Sequence, residues 1–432
     1  MSLMRTMYNG VSGLLSSSQA LGIVGDNIAN VNTIGYKRSR GVFADIMGQA
    51  VPGAAAASQV GGGVRLSDVQ QLFTQGALLT TDSPADLAIS GDGFFAVRGN
   101  VMGREGTFYT RAGQFHLDDE GFLVTAEDLR LQGYGVTDDG RIDPRPGDLQ
   151  IGDAELSPNP TTEVDIALNL DSNEDVLGVP FDPEDPDTYN FSTTVTVYDS
   201  LGASHRVDLF FTKTADNEWE YYAYVDSGDL GLPPGTPTAV TVGANTLTFT
   251  PSGELDTEVG GSITVTFDGA AAQTFRLDYG TSITTDGGSG LDGTTQFADR
   301  PSSLNGLAQD GFAAGSIVGF TVARDGVVTG VYDNGQQRTL GQVVLTNFAN
   351  EEGLSRMGEN AWAETNDSGP PLVGAPASGG RGTVIQGALE QSNVDIATEF
   401  VDMIAHQRAF QANSRTISTA DEMYQTAISL KR

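Results

Sequence analysis

Cysteine is absent from this 432-residue chain, which excludes disulfides, thiolate-bound zinc and thiol catalysis. Histidine is scarce: His116, His205 and His406 stand far apart, a poor basis for an imidazole metal site. No run of about 18 apolar residues exists, so a membrane-spanning helix is not expected. The first residues carry one early Arg and no sustained apolar core, so they do not read as a cleavable signal peptide. The phosphate-binding pattern G-x-x-x-x-G-K-[ST], the nucleophile elbow G-x-S-x-G and the zinc motif H-E-x-x-H are also missing. No catalytic residues, cofactor site or metal site are expected.

Basic charge is scarce too. Lys and Arg number 23 against 56 Asp and Glu, a net charge of 23 − 56 = −33. Residues 1–80 carry five basic and three acidic residues, and 381–432 carry five and six. The ends therefore sum to +1, and residues 81–380 carry −34. Such a middle disfavours nucleic acid and anionic membranes as partners. Neutral ends are free to pack against copies of themselves.

What is abundant is glycine, 55 residues, in a chain of modest apolar content. That points to short strands and many turns, and the length to several domains. Both ends, in contrast, carry helical periodicity. Met4, Met7, Val11, Leu14, Ser18, Leu21, Gly25 and Ile28 follow alternating steps of three and four. So do Ile396, Phe400, Met403, Gln407, Phe410, Ser414, Ile417, Asp421, Tyr424 and Ile428, flanked by Ala397, Val401 and Ile404. This is the 3.5-residue period of a coiled-coil seam. The C-terminal stripe predicts a helix of about 35 residues, roughly 50 Å long. The expectation is that the two stripes pack on each other. Gly10, Gly13, Gly22 and Gly25 weaken the first helix in isolation, so the ends are expected to order on assembly.

Between about 75 and 365, segments such as DLAISGDGFFAVRG, STTVTVYDSLG and SITVTFDG alternate apolar and polar residues and break at Asp-Gly, Asn-Gly and Ser-Gly turns. Antiparallel hairpins are the expectation. Asp118-Asp119, Asp138-Asp139 and Asp333-Asn334 read as turn residues. The fold class is mainly β with long terminal α-helices: a coiled-coil-like helical domain plus nested antiparallel β domains. The expected layout is an inner helical domain (1–30 and 393–432), a connecting joint (31–75 and 363–392), a middle β domain (76–162 and 290–362) and an outer inserted β domain (163–289). Small residues, Gly and Pro fill Gly48–Val64 and Asn366–Gly382, the expected pliant joints.

Three further patterns invite functional readings. Gly91-Asp92-Gly93-Phe94-Phe95-Ala96 fits G-x-G-x-x-A, but a dinucleotide site needs a helix next and FFAVRG reads as a strand. Asp182, Glu184, Asp185 and Asp187 offer oxygen ligands for calcium, against which the interleaved Pro183 and Pro186 favour an extended, solvated link. Lys37, Arg38 and Arg40 form a basic cluster, expected to face the acidic middle of a neighbouring copy.

The N-terminal run SGLLSSSQALGIVGDNIANVNTIGYKRSR, with Asn27, Ala29, Asn30, Asn32, Thr33, Gly35, Tyr36 and Lys37 at its centre, resembles the signature of bacterial flagellar rod and hook proteins. The final run from Gly387 to Leu430 resembles the matching C-terminal region. DLAISGDGFFAV, Asp86–Val97, is similar to the start of that family's first β domain. Length and one inserted β domain are closest to the hook-type members; rod members are shorter, and hook–filament junction members have more helix near the termini. The resemblance implies a structural, non-enzymatic subunit, exported unfolded through the flagellar type III apparatus and polymerised into a curved extracellular tube. Its implied partners are itself, the distal rod, the hook cap, the hook–filament junction protein and the export apparatus. The stepped apolar positions of the two ends, Met4, Met7, Val11, Leu14, Leu21, Ile28, Ile396, Phe400, Met403, Phe410, Ile417, Tyr424 and Ile428, are the expected assembly seam. The resemblance also implies an elbow at Asn27–Lys37, with Asn30, Asn32 and Gly35 ending the helix and Tyr36 anchoring the exit on a neighbour. A second reading is a secreted adhesive or carbohydrate-binding β protein with oligomerising helices. A third is an acidic, calcium-dependent hydrolase.

Overall fold

The computed structural model describes residues 2–47, 61–137, 140–152, 155–241 and 245–429. Most of the Gly48–Val64 joint and the Asp138-Asp139 pair lie outside the described residues. The chain divides into two compact units. One comprises residues 1–154, 319–331 and 337–432, the other residues 155–318 and 332–336.

In the first unit, α1 (Ser2–Ala29) and α2 (Ile396–Ser429) are the terminal helices. Asp395 starts α2: its carboxylate accepts the Thr398 N–H at 2.8 Å, satisfying one of the free donors of the first turn. The end of α1 unwinds through turns in which the Asn30 and Thr33 N–H groups bond Asp26 O and Asn30 O, both at 3.1 Å. Beyond it, β1 (Ser39–Asp45) pairs antiparallel with β2 (Val64–Gln71) as a two-stranded ribbon. Outgoing and returning chain then pair twice more: Leu78–Thr80 with Ala388–Glu390, and Leu87–Ser90 with Thr383–Gln386. Such paired ribbons satisfy backbone groups that a loose linker would leave to water.

The main sheet of this unit runs through Gln337–Val343, Arg130–Val136, Phe94–Val101, Arg104–Thr110, Ala361–Ala363 and Ser355–Gly358. Its core is aromatic. Phe94 meets Phe73 edge-on at 5.4 Å and Trp362 at 5.7 Å, and Tyr109 meets Phe348 at 4.7 Å. Edge-to-face pairing sets the ring quadrupoles favourably and adds to the burial.

Asn366–Gly382, expected as an extended joint, is instead a folded edge of this sheet. Leu372–Gly374 pairs with Leu345–Asn347, which pairs with Phe94 and Phe95. The Arg381 guanidinium holds the turn by donating to Ala375 O (3.1 Å) and Leu372 O (3.3 Å). A guanidinium with several fixed donors can order a Gly/Pro-rich stretch whose composition alone reads as a linker.

The second unit is a β-sandwich. Six strands lie in one sheet, five of them in the order Phe191–Tyr198, Ser204–Ala215, Glu218–Asp226, Thr246–Phe249 and Leu255–Val259; the sixth, Pro237–Ala239, pairs with Glu218–Asp226. Four form the other: Ser262–Val265, Gln273–Asp278, Glu163–Asn169 and Ser303–Gln309. Inward residues of both sheets, including Val164, Phe211, Trp219, Tyr221, Phe275 and Tyr279, share one core. The unit extends past the expected 163–289 because Ser303–Gln309 completes its second sheet by pairing with Glu163–Asn169. Acidic residues at its turns cap backbone donors, as when Asp199 accepts the Leu201 and Ala203 N–H groups at 2.8 and 2.9 Å.

Candidate assembly site

The terminal helices pack on each other as an antiparallel pair. Gly10 lies against Ile417, Gly13 against Asn413, and the Asn27 side chain reaches Glu399 at 3.2 Å. The face that α1 buries is Gly10, Ser17, Ala20, Val24 and Asn27. This stripe keeps the expected three–four stepping but lies one residue to the N-terminal side of the apolar one, a turn of about 100° around the helix. A Cβ on Gly10 would sit 2.9 Å from Ile417 Cγ1, and one on Gly13 would sit 2.6 Å from Asn413 Nδ2. Small residues therefore let the two backbones approach, while Gly22 and Gly25 face open space.

This displacement corrects the expected facing of the two apolar stripes. On α1, Met4 (60 %), Met7 (42 %) and Val11 (39 %) stay exposed, while Leu14, Leu21 and Ile28 are half-buried. On α2, Met403, Phe410 and Ile417 are half-buried, at one shared heptad position, on the side of α1. Ile396, Phe400, Tyr424 and Ile428 are exposed, and Val401, Ile404 and Met423 join them. Tyr8 and Leu15 extend the exposed flank of α1. Two helices offer each other one stripe apiece, so among the described residues much of the surface a third of a turn away stays uncovered. Exposed apolar flanks on such a scale mark surfaces that associate.

At the elbow, the Asn27 side chain imitates a strand neighbour. Its Oδ1 accepts the Ser39 N–H at 2.9 Å and its Nδ2 donates to Ser39 O at 2.8 Å, fastening α1 to β1. Asn30 Nδ2 donates to Asp26 O at 2.8 Å, and Thr33 Oγ1 donates to Asn30 Oδ1 at 3.2 Å. Asn32 is exposed. Gly35 has φ +72° and donates its N–H to Glu390 O at 2.7 Å. A Cβ there would stand 2.4 Å from Ala112 N, so both the conformation and the space require glycine. Tyr36, expected against a neighbouring copy, is buried in its own chain. Its hydroxyl donates to Asp26 Oδ2 at 3.1 Å, and Arg356 lies 5.2 Å from the ring centroid. Burial, then the nearby Asp26, raises its pKa above the usual phenol value.

Lys37 also departs from expectation. It is buried rather than facing another copy, with Nζ 2.7 Å from Glu390 Oε1 and 2.8 Å from Thr74 O. Arg111 Nη1 lies 3.2 Å from the other Glu390 oxygen, and the Gly76 N–H donates to Oε1 at 2.8 Å. Removal from water pushes the Lys37 pKa down, and Glu390 partly restores it. Arg38 pairs with Glu399 and, at 3.2 Å, with Asp402, both on α2. Arg40 is exposed and donates to Gln70 Oε1 at 3.0 Å. Of the basic cluster, two members therefore hold the chain's own returning strand and helix. Glu390 and Arg111 escaped sequence reasoning because a lone charge in a β segment carries no periodic signal of a partner hundreds of residues away.

The other singled-out patterns serve local structure. Gly91 (φ +106°) and Gly93 (φ +121°) form a turn into the strand Phe94–Val101, so no helix N-terminus stands behind them. Asp182 Oδ1 accepts the Glu184 N–H and Asp185 Oδ1 the Asp187 N–H, shaping the short 3-10 turn Pro186–Thr188. Among the described residues, the carboxylates that converge are Glu163, Asp165 and Asp278, on the solvent side of the four-stranded sheet, with Arg276 3.6 Å from Asp278.

A helix pair with uncovered apolar flanks, closing the two ends of a chain of nested β units, defines a self-associating axial subunit. The chain belongs to the flagellar hook protein family. It is 37% identical over 428 residues to the flagellar hook protein FlgE of Salmonella typhimurium, covering 98% of each chain. To that of Treponema pallidum it is 34% identical over 476 residues, covering 100% of each. Family models match in chain order: the flagella basal body rod protein family at residues 7–37, the flagellar hook protein FlgE/F/G D1 domain at 88–169, the flagellar basal body protein FlaE D2 domain at 169–312 and the flagellar basal body rod FlgEFG protein C-terminal family at 385–430. In fold, the chain is similar to the crystal structure of Helicobacter pylori flagellar hook protein FlgE2, with a TM-score of 0.51 at 16% identity, covering 72% of this chain and all of that one.

Proposed function

We propose that this chain is the building block of the flagellar hook: an extracellular subunit that polymerises into a curved tube, joins rod to filament and transmits torque, without catalysing a reaction. The exposed flank of Met4, Met7, Val11, Ile396, Phe400, Tyr424 and Ile428 carries the reading, because among the described residues it is left open to a partner. Flanks on copies related by a rotation that does not close generate a helical tube. In this reading the terminal helices form the inner layer around a channel. The distal rod, the hook cap, the hook–filament junction protein and the type III export apparatus are its partners by kinship. Bending follows from rigid β units sliding on modest polar interfaces while short paired ribbons flex.

Cryo-electron microscopy of the purified full-length chain, polymerised in vitro, tests this. Hollow tubes with both helices at the wall of the lumen are expected. Closed rings, or tubes with the helices outermost, would overturn it.

A further inference from the structure

A cavity of about 640 Å³ opens on the solvent face of the six-stranded sheet in the inserted unit. That volume falls in the range of small-ligand sites. Its floor is the outward side of Phe191–Tyr198, Ser204–Ala215 and Glu218–Asp226, and its walls come from Pro183, Tyr189, Gly235 and Pro237. This face does not contribute to the sandwich core, and the helical seam makes no use of it.

The lining joins two kinds of group. Tyr189 and Tyr224 are half-buried and line the cavity, with Phe210 between them at 4.9 and 6.0 Å. Edge-to-face packing on Phe210 holds both tyrosines in place. Beside them lies a polar array set before any ligand arrives. Arg206 donates to Asp208 through Nε and Nη2, both at 2.9 Å, and Thr194 Oγ1 donates to the same carboxylate at 2.8 Å. The Arg206 guanidinium has three N–H donors beyond the two that bind Asp208, and Ser192, on the same outward face, also lines the cavity.

Charge and hydrogen bonding narrow the ligand. The Asp208 carboxylate is committed to Arg206 and Thr194, and Asp226 to the Gly228 and Gly235 N–H groups. Each lining carboxylate thus already has donors, and Arg206 on Asp208 opposes a second cation there. The acidic segment Asp182–Asp187 beside the cavity repels anions. A purely apolar ligand would make no use of the guanidinium and hydroxyls that line the cavity. The remaining chemistry is a neutral molecule with C–H faces to lie on tyrosine rings and many hydroxyls to meet planar donors and acceptors. We infer that this cleft is a binding site for neutral oligosaccharides, on the outer face of the inserted unit.

Saturation-transfer NMR on the intact chain tests the inference, with maltotriose and tri-N-acetylchitotriose as probes. A saturable signal from at least one of them, with Kd on the order of 1 mM and strongest transfer to ring C–H protons, is expected. Tyr224→Ala should weaken it about tenfold or more. Arg206→Met, a change at an exposed side chain, should do the same with unfolding unchanged. A sulfated heparin trisaccharide should give no signal. The inference is overturned if neither neutral probe saturates, if the sulfated sugar binds better, or if Arg206→Met binds as the unaltered chain does.

Discussion

Lys37 Nζ and Glu390 Oε1 meet at 2.7 Å with both side chains wholly buried, although 353 residues separate them in sequence. The pair joins the outgoing chain to the returning one at the point where helix gives way to sheet. Arg111 shares the same carboxylate, so Glu390 is the common counter-charge of two buried cations, and Glu351 lies near enough to act on both.

Glu390→Ala should therefore destabilise the first unit by about 3–5 kcal/mol, because two cations would lose their counter-charge. Trp362 lies in this unit and Trp219 in the other, so urea unfolding followed in a Trp219→Phe background isolates the effect. Lys37→Met should cost less, since Arg111 still pairs with Glu390. Equal losses for the two variants would contradict this account.

Glycines of α1 and the elbow should divide by what faces them. Gly35→Ala places a methyl against Ala112 N at 2.4 Å with φ at +72°, and should abolish tube formation. Gly22→Ala meets nothing within 4 Å. It should raise stability by up to about 1 kcal/mol through helix propensity. If Gly22→Ala nonetheless blocks polymerisation, its open face is a contact between copies. Melting curves and sedimentation of polymerised protein separate the two effects.

Two faces of α1 should respond in opposite ways to substitution. Met7→Ser and Val11→Ser lie on the exposed flank and should leave monomer stability within about 0.5 kcal/mol while suppressing tubes. Val24→Ser lies on the buried face and should lower the monomer's stability. Circular dichroism at 222 nm, where helix dominates, reads the first property, and turbidity of a polymerising solution the second.

The inserted unit should lose stability as pH rises from 4.5 to about 7. Burial, then repulsion from Asp278, raises the Glu258 pKa to about 7, and Arg276 only partly opposes this. The folded unit keeps this proton up to about pH 7, whereas the unfolded chain releases it near 4.5. Its contribution is full below pH 4.5 and is lost as pH rises through 7. The loss is at most on the order of 3 kcal/mol, reduced by solvent screening. Trp219 fluorescence during urea unfolding at pH 5 and pH 8 measures it. Glu258→Gln should flatten the dependence and be the more stable form at pH 8.

The periodicities of the ends and the Gly-punctuated alternation between them specified two terminal helices and nested antiparallel sheets. These features are local: a 3.5-residue repeat and a two-residue repeat report burial within a single element. What tertiary structure decided is which faces meet. Small residues at Gly10 and Gly13 let α2 approach where the apolar stripe does not, so Met4, Met7, Val11, Ile396, Phe400, Tyr424 and Ile428 stay exposed. Asn366–Gly382 became sheet because Arg381 supplies donors that composition cannot foresee. Lys37 turned inward because the Glu390 carboxylate and the Thr74 carbonyl receive its ammonium there. Helix and strand are written in short-range spacing; the pairing of charges and the choice of a helix face depend on backbone approach, and that exists only once the chain has folded.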